Sequence, residues 1–137
     1  MKSYEYFEAT ADIGLKAYGE NLNEAFENAG MAIFNIISDT SNIYPIREIE
    51  FEIVSEDEVS LLYDYLEELL FYHEVEFMLF SEFHVEIDEN LHLKAIIKGE
   101  EIDWQKHERK TEIKAITFHM MEVKKGDCVS LQAIVDL

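Results

Sequence analysis

Residues 81–99 read SEFHVEIDENLHLKAIIKG, and the period of their apolar residues decides what this chain can fold into. Phe83, Val85 and Ile87 alternate with His84 and Glu86; beyond a polar DEN break, Leu91, Leu93 and Ala95 alternate with His92 and Lys94. A period of two places the apolar set on one face of a pleated strand. Two such runs joined by a short polar break make a half-buried β-hairpin. A three-residue loop at Asp88, Glu89 and Asn90 pairs Ile87 with Leu91, Val85 with Leu93 and Phe83 with Ala95. A two-residue loop would set apolar residues opposite polar ones. Asn90 is the residue expected to take the left-handed conformation. In this register His84 faces Lys94 and His92 faces Glu86, so both histidines read as surface cross-strand partners.

The same alternation recurs on either side. TEIKAITFHMMEV (111–123) and CVSLQAIVDL (128–137) form a last hairpin around Lys124, Lys125, Gly126 and Asp127. In its final strand Val129, Leu131, Ala133 and Val135 point inward, while Ser130, Gln132 and Asp136 share the other face. Upstream, IEFEIV (49–54) sets Ile49, Phe51 and Ile53 against glutamates, a half-exposed strand. Residues 3–8 and 14–19 read as short strands flanking a Thr10–Ala11–Asp12 turn.

Two segments carry the helical period instead. In NLNEAFENAGMAIFNIIS, Leu22, Ala25, Phe26, Ala29, Ile33, Ile36 and Ile37 form one stripe, with Asn21 as cap and Glu24 in the capping-box position. Gly30 in mid-helix costs about 1 kcal/mol relative to alanine, so close packing against another backbone is expected there. Ser55 and Glu58 open a second helix whose buried stripe is Val59, Leu62, Leu66, Leu69 and Leu70, ending near His73. Its glutamates read as a solvated face. The pattern predicts an α+β fold: a two-layer sandwich of mainly antiparallel sheet covered by two helices. With one proline and no low-complexity stretch, residues 1–137 read as a single domain.

Composition narrows the function. A hydrophobic fraction of 48% argues for a packed core, against a formal charge of -19 from 30 acids and 11 Lys+Arg. Such a surface repels phosphate backbones, so direct nucleic-acid binding is disfavoured, while divalent cations and basic protein partners are favoured. The lone Cys128 forms no internal disulfide and reads as a small buried hydrophobe. No N-terminal apolar signal stands before residue 10, and no run approaches the roughly 20 apolar residues of a membrane span, so a cytoplasmic protein is expected.

No GxSxG, P-loop, GxGxxG or HExxH motif is present, and none of the five histidines has metal-ligand spacing. Two residues stand in unusual places. Asp136 ends an apolar strand, directly before Leu137 and its carboxylate. If Asp12 met this end, two carboxylates and the terminus would suit a hard cation such as calcium; the alternative is a solvated chain end. Lys114 lies in mid-strand among apolar residues, either as a stem that covers the sheet with its ammonium in water or as a functional lysine beside carboxylates.

These residues also carry a resemblance. EATADIGLKAYG (8–19), GEEIDWQKH (99–107), TEIKAITFH (111–119) and the ending AIVDL (133–137) together resemble the archease family, in order and over essentially the full length. The resemblance implies a non-catalytic accessory factor of the RtcB-type, GTP-dependent tRNA-splicing ligase. Such factors promote guanylylation of a ligase histidine, allow repeated turnover and can broaden the nucleotides the ligase accepts. It further implies a metal site, usually assigned to calcium, at Asp12, Asp136 and Leu137. Lys114 matches the lysine of a TxxKAxT motif linked to activation, and Asp39 in IISDT matches a family position with no role assigned. Many relatives read HTAD where this chain has Ala9–Thr10–Ala11–Asp12, so a histidine role there is absent here. The alternatives are a metal-dependent hydrolase using Asp12 and Asp136, against which the lack of a nearby general base counts, and a chaperone-like binder of RNA-processing proteins.

Overall fold

A computed structural model describes residues 2–137. Within them the chain runs β1 (Tyr4–Ala9), β2 (Asp12–Gly19), α1 (Leu22–Ile37), a 3-10 turn at Thr40–Asn42, β3 (Arg47–Val54), α2 (Glu58–Val75), β4 (Met78–Ile87), β5 (His92–Glu101), β6 (Ala115–Lys125) and β7 (Val129–Asp136). The α+β class and the two helices are as the periodicities predict. The antiparallel strands, however, divide between two sheets, one in the order β1-β2-β7-β6 and one in the order β3-β5-β4. Both helices touch both sheets: α1 meets β2 and β7 on one side and β4 on the other, and α2 meets β6, β3 and β4. No helix of the described residues is long and apolar enough to cross a membrane.

The apolar stripe of α1 is buried as expected, with Phe26, Ile33 and Phe34 fully enclosed. The Asn21 side chain accepts from the Glu24 N–H at 2.9 Å, and the Glu24 carboxylate accepts from the Glu20 N–H at 3.0 Å, satisfying donors at the helix start. A Cβ on Gly30 would lie 2.7 Å from a Phe83 ring carbon and 2.9 Å from the Tyr65 hydroxyl. Close packing does explain this glycine, but against side chains rather than a backbone. For α2 the start differs from expectation. Asp57, not Ser55, is the cap and accepts from the Ser60 N–H at 2.8 Å, while the Ser55 hydroxyl donates to Asp64 at 2.6 Å. An acid two residues closer to the first turn also complements the helix dipole, so it outcompetes the serine. The helix runs two residues past His73, to Val75.

The 81–99 hairpin forms in a different register. Ile87 pairs with Leu93, Val85 with Ala95 and Phe83 with Ile97, across a four-residue loop at 88–91. The Asp88 carboxylate accepts from the N–H groups of Asn90 and His92 at 2.8 and 3.0 Å, and Leu91, not Asn90, takes the left-handed conformation at φ 58°. A shift of two residues preserves which face is buried, so hydrophobic alternation could not detect it. His84 therefore stands opposite Ile96, and Glu86 opposite Lys94. His92 pairs with Val54 of β3, its Nε2 2.6 Å from Glu52.

The last hairpin also departs at its ends. β6 begins at Ala115, so Lys114 precedes the strand rather than lying within it, and β6 bulges between Thr117 and Glu122. Cys128 lies in the turn and is exposed, not buried. The sheet order has one consequence for function. β7, the last strand, is inserted between β2 and β6, which brings the end of the chain beside both.

Candidate functional site

β1 and β2 are joined by Thr10 and Ala11, with Ala9 and Asp12 as the closing pair. Ala11 takes φ 62°, a left-handed conformation that costs a non-glycine residue about 1 kcal/mol or more. The tight turn makes Asp12 the first residue of β2 rather than part of the turn. Across the sheet Asp12 is the Cα partner of Asp136, and Asp136 is in turn the partner of Ala115. Lateral partners in a sheet project from the same face. Ala9, Asp12, Asp136 and Ala115 thus form one row, with the two acids at its centre and small residues at its flanks.

Lys114 joins this row through its backbone: its N–H donates to the Asp136 carbonyl at 2.8 Å. Its side chain is exposed and makes no ion pair among the described residues. Asp136 is exposed, and Asp12 and Leu137 are half-buried. Asp39 is not drawn into the row. It caps the 3-10 turn, accepting from the Ser41 N–H at 3.0 Å and the Ser41 hydroxyl at 2.7 Å. Those two hydrogen bonds, hydroxyl first, hold its carboxyl below the ordinary value, with the charge of Lys110 adding to them.

Lys110 acts on Asp39 through its charge and shares a cleft with Asp12. Its ammonium donates to the Asn35 carbonyl at 2.7 Å and its N–H to the Ile37 carbonyl at 3.0 Å, so it covers the C-terminal end of α1. It also lines an open cleft of about 650 Å³, together with Asp12, Glu8, Tyr6, Asn35 and Thr111. The cleft lies beside the Asp12–Asp136 row.

A hard cation needs several oxygens, and the row offers two carboxylates. Among the described residues no group of three His, Cys, Asp or Glu side chains is arranged to hold a metal ion, so side chains alone do not complete a ligand set. Leu137, next to Asp136, is the residue that could add a backbone oxygen. The donor chemistry fits calcium or magnesium and does not fit a thiolate- or imidazole-loving metal.

One group escaped the sequence reading altogether. Glu100, buried with only 8% of its surface exposed, and His107, at 2%, form a polar knot with Lys106. Charge and spacing in GEEIDWQKH give no periodic signal for it, because its partners come from a loop and a turn rather than from one helix or strand face.

Comparison with known proteins places the chain. Residues 4–137 match the model of the archease protein family (MTH1598/TM1083). The chain is 52% identical to protein archease of Methanothermobacter thermautotrophicus and 49% identical to protein archease of Sulfurisphaera tokodaii, covering 100% of both chains in each case. The solution structure of Methanobacterium thermoautotrophicum protein 1598 superposes with a TM-score of 0.89 at 50% identity, over 100% of both chains. Motif order, strand topology and full-length similarity agree: the chain belongs to the archease family.

Proposed function

We propose that this protein is a non-catalytic accessory factor that activates an RtcB-type, GTP-dependent tRNA-splicing ligase. In this reading it promotes guanylylation of the ligase, sustains its turnover and broadens its use of nucleotides. The observation that carries the reading is the row Asp12–Asp136–Ala115 with Lys114 bonded to its central residue, which gathers separate sequence motifs at one end of the fold. Asp12, Asp136 and Leu137 would hold a divalent cation, calcium by preference. When bound, that ion supplies positive charge that can meet phosphate oxygens an acidic protein would otherwise repel. Asp12 and Asp136 orient toward one face of the sheet, and Lys114, held to the Asp136 carbonyl by its backbone N–H, adds an exposed side chain at this end of the fold for an anionic group of the ligase or its nucleotide. The protein makes no direct contact with nucleic acid, and a cytoplasmic location follows from the role.

The test is single-turnover guanylylation of the cognate ligase with and without this protein, beside a hydrolase screen. Parent protein should stimulate guanylylation, and Lys114→Ala should stay folded but stimulate far less. Lys114→Arg should rescue only in part, because a planar fork does not replace a compact ammonium. No stimulation by the parent, or hydrolysis that is lost in Asp12→Asn, would overturn the reading.

A further inference from the structure

Between β5 and β6 the chain has no helix or strand: residues 102–114 are irregular throughout. A long irregular connection is ordinarily mobile. Here it must deliver Lys114 to Asp136, and the residue that organises it is an acid with no place in the row of carboxylates. Glu100 stands at the end of β5, opposite Leu79 of β4, and is the buried carboxylate among the described residues. The Lys106 ammonium donates to both of its oxygens at 2.7 Å. The Tyr44 N–H donates to Oε2 at 2.7 Å, and His107 Nε2 lies 3.1 Å from the same oxygen.

The histidine's role follows from its other nitrogen. His107 Nδ1 receives the Asp103 N–H at 3.0 Å, so it carries no proton, and Nε2 must be the N–H that donates to Glu100. A neutral imidazole thus ties Asp103 to Glu100. The His107 N–H closes the same turn on the Asp103 carbonyl at 2.7 Å, and the Lys106 ammonium sits 4.0 Å above the Tyr44 ring. Three separate pieces of chain meet on one carboxylate: the loop before β3, the end of β5, and the 103–107 turn. Beyond the turn the path continues through Lys110, bonded to Ile37, the buried Ile113, and Lys114, bonded to Asp136.

Stability alone is a poor reason for this knot. Glu100 is buried while Lys106 is exposed, so desolvating the carboxylate offsets much of what this ion pair gains, and apolar residues of similar size often serve a core as well or better. What a buried carboxylate with convergent donors provides, and a leucine does not, is one permitted direction for each donor. We propose that Glu100 and His107 are positioning residues that set the path of residues 102–114 and so hold Lys114 in place beside Asp136. The proposal rests on the functional reading of Lys114 given above.

The experiment compares the parent with Glu100→Gln, and with Lys106→Met should the first variant fail to fold. Amide hydrogen exchange read by NMR should be about tenfold faster at Lys110 and Lys114 in the variant, with Leu15 and Leu131 in the central strands unchanged. Stimulation of ligase guanylylation should fall, and the Glu100→Gln/Lys114→Ala double variant should be no worse than Lys114→Ala alone, since both changes remove one function. Unchanged exchange at Lys114, or losses that simply add in the double variant, would overturn the positioning role. The exchange measurement needs no ligase, so a parent protein that stimulates nothing defeats the functional reading while exchange still decides this one.

Discussion

Asp12 and Asp136 stand directly opposite each other on β2 and β7, two like charges paired across the sheet. Without a counter-ion, facing carboxylates in a cross-strand pair are destabilising. Calcium should therefore raise the melting temperature of the parent, by a free energy near 2.7 kcal/mol at a hundred times the dissociation constant. Asp12→Asn and Asp136→Asn should melt no lower than the parent in chelator and lose most of the calcium-dependent rise. Calorimetric scans with and without calcium give both quantities. If either variant keeps the full rise, the ion is held elsewhere.

Gly99 supports the site from a distance, because β5 must approach β4 closely before the chain turns into the irregular segment. A Cβ on Gly99 would fall 1.8 Å from the Leu79 carbonyl oxygen and 2.7 Å from the Phe80 Cα, both backbone atoms that cannot rotate away. Gly99→Ala should cost about 1–3 kcal/mol or more, as overpacked sites do. Gly126, where a Cβ would come no nearer than 3.9 Å to the Cys128 carbonyl, is the control, and Gly126→Ala should change stability by less than about 0.5 kcal/mol. Urea unfolding of the two variants decides it: equal midpoints would show that β4 and β5 can separate without penalty.

What periodicity could see and what it could not follow from the physics of each element. The α1 stripe and the alternation in β3, β4 and β7 were legible because burial imposes a period on one face. The hairpin slipped by two residues because that shift leaves the buried face unchanged, and the choice was made by Asp88 capturing two N–H groups. Cys128 was misplaced because apolar neighbours say nothing about where a turn begins. The partition into two sheets depends on β7 entering between β2 and β6, a long-range choice that no local pattern encodes. Of the site, Asp12, Asp136 and Lys114 stood out as polar residues where apolar ones were expected. Glu100 did not, since one more acid among 30 is invisible until its burial is known.

Glu100 also predicts a pH dependence. Burial alone would push its carboxyl up, but the Lys106 ammonium, the Tyr44 N–H and His107 together outweigh it and bring the value down to about 2, from an ordinary 4.5. A carboxyl depressed in the folded state contributes stability that is complete above 4.5 and lost as pH falls toward 2, because the unfolded chain takes up the proton first. Acidification has an opposite effect on the exposed acids, whose mutual repulsion it relieves. The comparison must therefore be between proteins rather than between pH values. From pH 5 to pH 2 the melting temperature of the parent should fall relative to that of Glu100→Gln, narrowing the gap between them. A gap that stays constant over this range would mean that the Glu100 charge contributes nothing to folding.

The remaining charge acts at longer range. On the exposed face of the three-stranded sheet, Glu52, Lys94 and Glu86 form one row and Glu48, Lys98 and Glu82 another, with Glu50, Ile96 and His84 between them. Carboxylates outnumber lysines there, as they do over the whole chain of net charge -19. A partner that binds nucleotides and RNA needs a basic surface, so encounter should be accelerated by attraction that salt screens beyond about 8 Å at physiological ionic strength. Stopped-flow association with the ligase should slow by about tenfold or more between low and high salt, with dissociation changing far less. The triple variant Glu48→Gln/Glu50→Gln/Glu52→Gln separates steering from contact. It should associate more slowly at low salt, match the parent at high salt, and reach the same stimulation when saturating. Loss of stimulation at saturation would make this face a contact surface, and association that ignores salt would show that the acidic surface does not guide docking.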